Sequence, residues 1–411
     1  MAEEEHEVPE THVLAIASHV GAPAYRGPRR PLIEAQGHIW VLGCEVSAIH
    51  TVNYSNHVGY KRVKGRKSTP EEIAELYNGL KDAGLNKFDV MLSGYCPSAA
   101  IVEEVGRIAR ERKFQATTRP GSFFWVLDPV MGDNGRIYVA EDTVPAYRGL
   151  LRDADLILPN QFEAELLSEV KIHDLATMNK AITKLHQAHR VPNVLITSIR
   201  LPPTQVSTPT SASEDQSTSA KLSVIGSTAT SDMKPRLFRI TVPALPVFFS
   251  GTGDMFAAIL VARLRQAAQE ADVLNKPNWR SEDDVAGPDL PLAKALEKVL
   301  ASMHAILKDT ARHYESAMQK YESETELNEG TGEDAAKDKD VERHLRLTRA
   351  AEVRVVRNAK ALLNPPDLDS FKAHAIEVDL DIERESDVER ESDVEYESDL
   401  ERKLDVEHKS R

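Results

Sequence analysis

Short apolar runs alternate with amphipathic, helix-spaced stretches from Val13 to about Val261. Residues 13–17, 90–92, 123–127, 156–158 and 194–196 are apolar at every position. A strand with one wet face would alternate, so these runs predict strands buried on both faces. Between them, Thr69, Pro70 and Glu72 supply an N-cap, a first-turn proline and a third-position glutamate. They open a helix whose apolar face is expected to carry Ile73, Leu76 and Leu80. Ile101, Val105 and Ile108 repeat the spacing, as do Leu166 and Leu167 after Pro159-Asn160, and Ile182 and Leu185 after Met178. Parallel strands need crossover connections, so this alternation predicts a three-layer α/β/α domain with a mostly parallel central sheet. Ligands of such sheets sit beyond the carboxyl ends of the strands.

The expected domain spans residues 13–315, after a flexible stretch at 1–12. Residues 202–235 are rich in Ser, Thr and Pro and are expected to be a surface insertion, with Leu222-Ser-Val-Ile225 a possible strand inside it. Residues 316–340 read as a polar, acidic linker and 341–371 as a final segment packing on the domain. In the tail, residues 372–411, the chain repeats Glu-Ser-Asp-(Val/Leu)-Glu three times at a six-residue spacing between Glu385 and Arg402, a period that fits no heptad seam. That tail is expected to be disordered or a solvated charged helix, and each of its serines among carboxylates could be phosphorylated.

Charge sharpens this division. The net charge of the 411 residues is −14. Residues 377–411 hold fifteen Asp/Glu against six Lys/Arg, so nine of those charges belong to the tail. An acidic chain of this kind is not expected to neutralise a nucleic-acid backbone. Cys44 and Cys96 cannot build a disulfide framework, and the acidic N-terminus lacks a signal-peptide pattern. No run approaches the roughly 20 apolar residues of a membrane span. A cytoplasmic or nuclear setting, with no membrane partner, is the resulting expectation.

The strongest chemical signal is Phe249-Ser-Gly251-Thr252-Gly253-Asp254 ahead of a helical stretch reaching about Leu264. Glycines before a helix N-terminus let backbone N–H groups gather round a phosphate. A carboxylate repels that phosphate, which is tolerable if Asp254 serves as general base toward a hydroxyl attacking it. The plainer alternative is a glycine turn with a capping Asp. A dinucleotide fingerprint fails, because Phe256 stands where the third glycine belongs. Two strand ends add oxygen ligands suited to Mg²⁺ with nucleotide phosphates: Asp128 and Asp133 after one, Asn160 and Glu163 after another. Asn160 and Glu163 also read as a structural capping box.

Together Ser18-His-Val20, Asn53-Tyr-Ser-Asn-His-Val-Gly-Tyr60, Ser93-Gly-Tyr95, Asp128-Pro-Val-Met-Gly-Asp133, Pro159-Asn-Gln-Phe-Glu-Ala-Glu165, Ile196-Thr-Ser198 and Gly251-Thr-Gly-Asp254 resemble the pyridoxal kinases of the ribokinase-like superfamily. The resemblance runs in order from about Val13 to Leu307 and is nearest to fungal-type members, including residues 349–363. It implies ATP-dependent phosphorylation of the 5′-hydroxymethyl of pyridoxal, pyridoxine or pyridoxamine, in vitamin B6 salvage. By the same resemblance Asp254 is the base and Gly251, Thr252 and Gly253 form the anion hole. Asp128, Asn160, Thr197 and Ser198 bind ATP. Asp133, Glu163 and Asp128 handle Mg²⁺, with Zn²⁺ as the other divalent candidate, and K⁺ or Na⁺ lies near Asp128. Ser18, Tyr95, Tyr138 and Asp254 face the substrate, and a homodimer is implied.

The chain departs from the pattern after Val20, where the family makes a Gly-Tyr-Val-Gly-Asn turn into a helix. Here Gly21-Ala-Pro-Ala-Tyr-Arg-Gly-Pro-Arg-Arg-Pro31 cannot form that helix. Val58 replaces a hydroxyl residue of animal relatives, His50 an Asn, and Leu158 a cation-binding Thr. These departures keep two other readings open. One is a related kinase of hydroxymethylpyrimidine or another small alcohol; the other is a non-catalytic nucleotide- or vitamer-binding protein. The basic stretch from Tyr60 to Lys67 is expected to be a solvated loop, with a phosphate-attracting lid as the alternative.

Overall fold

The computed structural model describes residues 8–20, 42–199, 221–326 and 333–376. The divergent stretch after Val20, most of the Ser/Thr/Pro-rich segment and the acidic repeats fall outside those residues.

In chain order the elements begin with β1 (His12–Val20), β2 (Glu45–Tyr54), β3 (Gly65–Lys67) and α1 (Pro70–Asp82). Then come β4 (Val90–Ser93), α2 (Ala99–Ala116), β5 (Phe124–Leu127) and the small hairpin β6 (Gly132–Asp133) with β7 (Arg136–Ile137). They are followed by α3 (Thr143–Leu150), β8 (Leu156–Ile157), α4 (Gln161–Ser168), α5 (Leu175–Gln187) and β9 (Asn193–Ile199). The last group is β10 (Lys221–Thr228), β11 (Leu237–Pro243), α6 (Thr252–Glu270), α7 (Pro291–Glu326), α8 (Glu333–Ala350), α9 (Ala359–Leu363) and β12 (His374–Ala375).

One sheet holds ten of these strands in the order β12-β11-β10-β9-β8-β5-β4-β1-β2-β3. From β9 to β2 every neighbouring pair is parallel, as the fully apolar runs imply. All four residues of β4 and of β5 are buried, and Trp125 is among the largest side chains with no exposure. The carboxyl ends of these strands bring Ser18, Tyr95, Asp128, Asn160 and Thr197 to one edge of the sheet.

The α1 capping box forms as expected: Thr69 Oγ1 accepts Glu72 N at 3.2 Å, and Glu72 Oε2 accepts Thr69 N at 3.0 Å. Its buried face differs from the expectation. Ile73 and Tyr77 are buried, whereas Leu76 is 56% exposed. Residues four apart share a stripe, and the aromatic ring buries more area than either leucine.

Two segments need correction. In the polar insertion expected at 202–235 the possible strand at Leu222–Ile225 is present as β10, but it lies within the sheet, antiparallel to β9 and β11, rather than on the surface. The hydroxyls of Ser227 and Thr228 are buried and find partners. Ser227 Oγ accepts Arg236 N at 3.1 Å and lies 2.8 Å from His186 Nε2, and Thr228 Oγ1 donates to Asn193 Oδ1 at 2.7 Å. Satisfied hydroxyls can be buried at little cost, so composition misleads here. The acidic linker expected at 316–340 is instead helical up to Glu326 and again from Glu333. Tyr321 Oη donates to Lys339 O at 2.9 Å and Arg346 pairs with Glu324 at 2.6 Å, a wet helical pair that a polar sequence supports.

Gly226 in β10 has Phe238 pressed against it, and a Cβ there would lie 2.2 Å from the ring. Phe238 has no exposure and little room to move. Gly226→Ala should therefore cost about 1–3 kcal/mol, read as a lower urea midpoint with an unchanged slope. Among the described residues no helix is long and apolar enough to cross a membrane.

Candidate active site

At the end of β5 the Asp128 N–H donates to Ser93 O at 2.8 Å, which fixes the turn. The Asp128 side chain is 9% exposed, and burial pushes its carboxyl well above the usual carboxylate range. The charges of Glu163 and Asp254 push it further in the same direction. The β6–β7 hairpin follows, turning through Asn134 at φ +49° and Gly135 at φ +76°. Positive φ at both positions is the two-residue turn that an Asn-Gly pair favours. The hairpin leaves Asp133 exposed and presents Tyr138, which is 57% exposed.

The Asn160–Glu163 capping box is present and reaches beyond its own helix. Asn160 Oδ1 accepts Glu163 N at 2.9 Å, and Glu163 Oε2 accepts Asn160 N at 2.9 Å. Glu163 Oε1 accepts Met131 N at 2.8 Å and Gly132 N at 3.4 Å, while Asn160 Nδ2 donates to Gly132 O at 2.8 Å. The two side chains thus tie the β6–β7 hairpin to the start of α4. Glu163 is 3% exposed; burial raises its carboxyl to about 7 against the pull of those backbone donors. Asn160 also pairs with Thr197 through a backbone bridge, and Ser198 beside it has φ +59°, uncommon outside glycine.

The glycine loop meets this group from the other side. Gly251 has φ +83°, a conformation that suits glycine, and no side chain caps α6. The first-turn N–H groups of Thr252, Gly253 and Asp254 therefore have no intrahelical acceptor. A Cβ on Gly253 would meet nothing within 4 Å, so the approach is open. From Met255 to Leu264 every residue of α6 is buried, which fixes the helix in the core. Burial raises the Asp254 carboxyl to about 6.

The structure therefore brings together Asp128, Glu163 and Asp254, with Asp133 and Tyr138 at their rim. The Tyr138 hydroxyl is pushed up by burial first, then by Glu163, Asp128, Asp133 and Tyr95. Ser18 sits at a bulge near the end of β1 beside Val52, and no described contact ties it to the acidic group. The metal set Asp133, Glu163 and Asp128 does not converge as a ready cage. Among the described residues no three His, Cys, Asp or Glu side chains are placed to hold a metal. Glu163 is occupied by backbone donors instead. Sequence reading also missed Glu352, whose backbone pairs with Ser250 beside the glycine loop. Apart from its place in the 349–363 resemblance, no local signal marks that contact.

A Schizosaccharomyces pombe relative is 36% identical over 299 residues, 73% of this chain and 85% of its own. The pyridoxal kinase of Bos taurus is 34% identical over 310 residues, 74% of this chain and 86% of that one. The chain belongs to the pyridoxal kinase family. The Leishmania donovani pyridoxal kinase, solved in complex with ADP and pyridoxamine, matches at 27% identity and a TM-score of 0.63, covering 90% of this chain and 100% of that one. The three-layer fold expected from the sequence is the one pyridoxal kinases have. A family model described as phosphomethylpyrimidine kinase matches residues 93–276, which contain Asp128, Asp133, Asn160, Glu163 and Asp254.

Proposed function

We propose that this protein is an ATP-dependent pyridoxal kinase, transferring the γ-phosphoryl group of ATP to the 5′-hydroxymethyl of pyridoxal, pyridoxine or pyridoxamine. One observation carries the site assignment: Asp254, raised to about 6, starts a helix with no side-chain cap and lies within electrostatic reach of Asp128. In this reading Asp254 takes the proton of the attacking hydroxyl as its oxygen bonds to the γ-phosphorus and the bond to the β-phosphate oxygen breaks. The N–H groups of Thr252, Gly253 and Asp254 stabilise the charge spreading over the transferred group. Asn160, Thr197 and Ser198 position the nucleotide, while Ser18, Tyr95 and Tyr138 face the vitamer.

The donor set around the hairpin is oxygen throughout, which fits Mg²⁺ better than Zn²⁺. Asp133 and Asp128 would hold it together with phosphate oxygens and water, Glu163 acting by orienting the hairpin. That ion would neutralise the triphosphate. Among the described residues no cationic side chain pairs with the buried Asp128, which suits a monovalent cation beside it. The same reading includes a homodimer in a reducing compartment, supported by family resemblance and by two free, buried thiols, Cys44 and Cys96.

The full chain incubated with Mg-ATP and pyridoxal should yield ADP and pyridoxal 5′-phosphate in equal amounts. A second reading, phosphorylation of hydroxymethylpyrimidine, is favoured by the name of the matched family model and by apolar Val58, 61% exposed on the turn after β2. Competition between the two alcohols separates them: a higher kcat/KM for the pyrimidine would replace the first reading. ATP binding with no ADP formed from either alcohol would point to the non-catalytic alternative.

A further inference from the structure

The glycine loop and the turn after β2 are joined by a residue that belongs to neither. Ser250, directly before Gly251, makes a parallel backbone bridge with Glu352. Glu352 Oε1 accepts the Tyr60 hydroxyl at 2.5 Å. Tyr60 ends the single 3-10 turn Val58–Tyr60, which His57 caps by accepting Gly59 N at 3.0 Å. His344 on α8 donates from Nε2 to the Gly59 carbonyl at 2.9 Å, since a carbonyl can only accept. The segment around Glu352 is anchored on the core helices. Arg354 N donates to Thr310 Oγ1 at 3.2 Å and its guanidinium pairs with Asp309 at 3.2 Å, both on α7. Arg263 on α6 donates to the carbonyls of Leu362 and Leu363 at 2.5 and 2.9 Å. Glu352 Oε2 is buried with no hydrogen-bond partner among the described residues. Burying half a carboxylate unsatisfied is costly, and a residue kept for stability alone would gain from an apolar replacement.

We propose that Glu352 is a positioning residue for phosphoryl transfer. Its backbone holds the approach to the anion hole through Ser250, and its side chain holds Tyr60 on the turn after β2. One residue from the C-terminal segment thereby sets the separation of two loops at the carboxyl edge of the sheet. It need touch neither ATP nor the vitamer. The inference rests on the kinase reading above, and displacement of the loops by a fraction of an ångström is enough to slow an aligned transfer.

The test uses full-length Glu352→Ala, Tyr60→Phe, their double variant and Glu352→Gln. Glu352→Ala and Tyr60→Phe should each lower kcat on pyridoxal by about tenfold, with KM for ATP changed less than about threefold. The double variant should fall no more than about twofold below either single one, because both remove the same bond. Glu352→Gln keeps an acceptor for Tyr60 and should stay within about twofold of wild type. Amide exchange at Gly59, Tyr60 and Met255, whose N–H groups are hydrogen-bonded within the two loops, should quicken in Glu352→Ala and keep its wild-type rate in Glu352→Gln. The proposal is overturned if Glu352→Ala has wild-type kcat once corrected for the folded fraction, or if the double variant multiplies the single losses. A wild-type chain that forms no product would sink the kinase reading; unchanged amide exchange in Glu352→Ala would then sink the coupling as well.

Discussion

Asp254→Ala should lower kcat for pyridoxal phosphorylation by on the order of 10²–10⁴ while ATP still binds. The carboxylate is the form that accepts a proton, and burial has raised its pKa to about 6. In the wild type kcat/KM should therefore fall as pH drops through about 6 and level off above it. Stability should move the other way. A folded pKa above the ordinary 3.8 means that the folded state holds this proton more tightly than the unfolded chain does. Ionised Asp254 then weakens the fold at pH 7, and the penalty disappears as pH falls toward 4. Asp254→Asn should melt on the order of a few degrees above wild type at pH 7 and lose that advantage at pH 4. Turnover in Asp254→Ala equal to wild type would remove the general-base assignment, and an unchanged melting difference across pH would remove its electrostatic basis.

Glu163→Ala should destabilise the protein by about 2–4 kcal/mol, read from the urea midpoint, and raise KM for ATP. Its carboxylate receives the N–H groups of Met131, Gly132 and Asn160, and truncation leaves all three without their acceptor. Glu163→Gln should cost less, since one oxygen remains, yet its NH₂ must then face a backbone donor. A variant with wild-type stability and only weakened Mg²⁺ dependence would show that the residue acts as a metal ligand after all. The geometry favours the structural role. A glutamate with both oxygens taken by backbone donors holds the hairpin that carries Asp133 and Tyr138 in place.

The readings that hold between sequence and structure are those with short-range causes. Each capping box lies within four residues, so Thr69–Glu72 and Asn160–Glu163 could be read directly. The apolar runs at 90–92 and 123–127 mark β4 and β5 because a strand buried on both faces tolerates no polar alternation. The readings that fail turn on partners distant in the chain. Ser227 and Thr228 look like loop residues until His186 and Asn193 satisfy them inside the sheet. Leu76 and Tyr77 compete for the buried face of α1, and only the neighbouring elements decide between them.

The chain's own order of residues determined the parallel sheet, the glycine-rich helix start and the identity of the acids at the strand tips, because periodicity, glycine and capping act over one turn or one strand. Tertiary structure alone decided that Glu163 and Asp254 both lie within electrostatic reach of the buried Asp128, and that Glu352 reaches Ser250 and Tyr60. Proximity between remote segments depends on how helices and strands stack, and the dielectric that shifts an acid is set by everything packed around it.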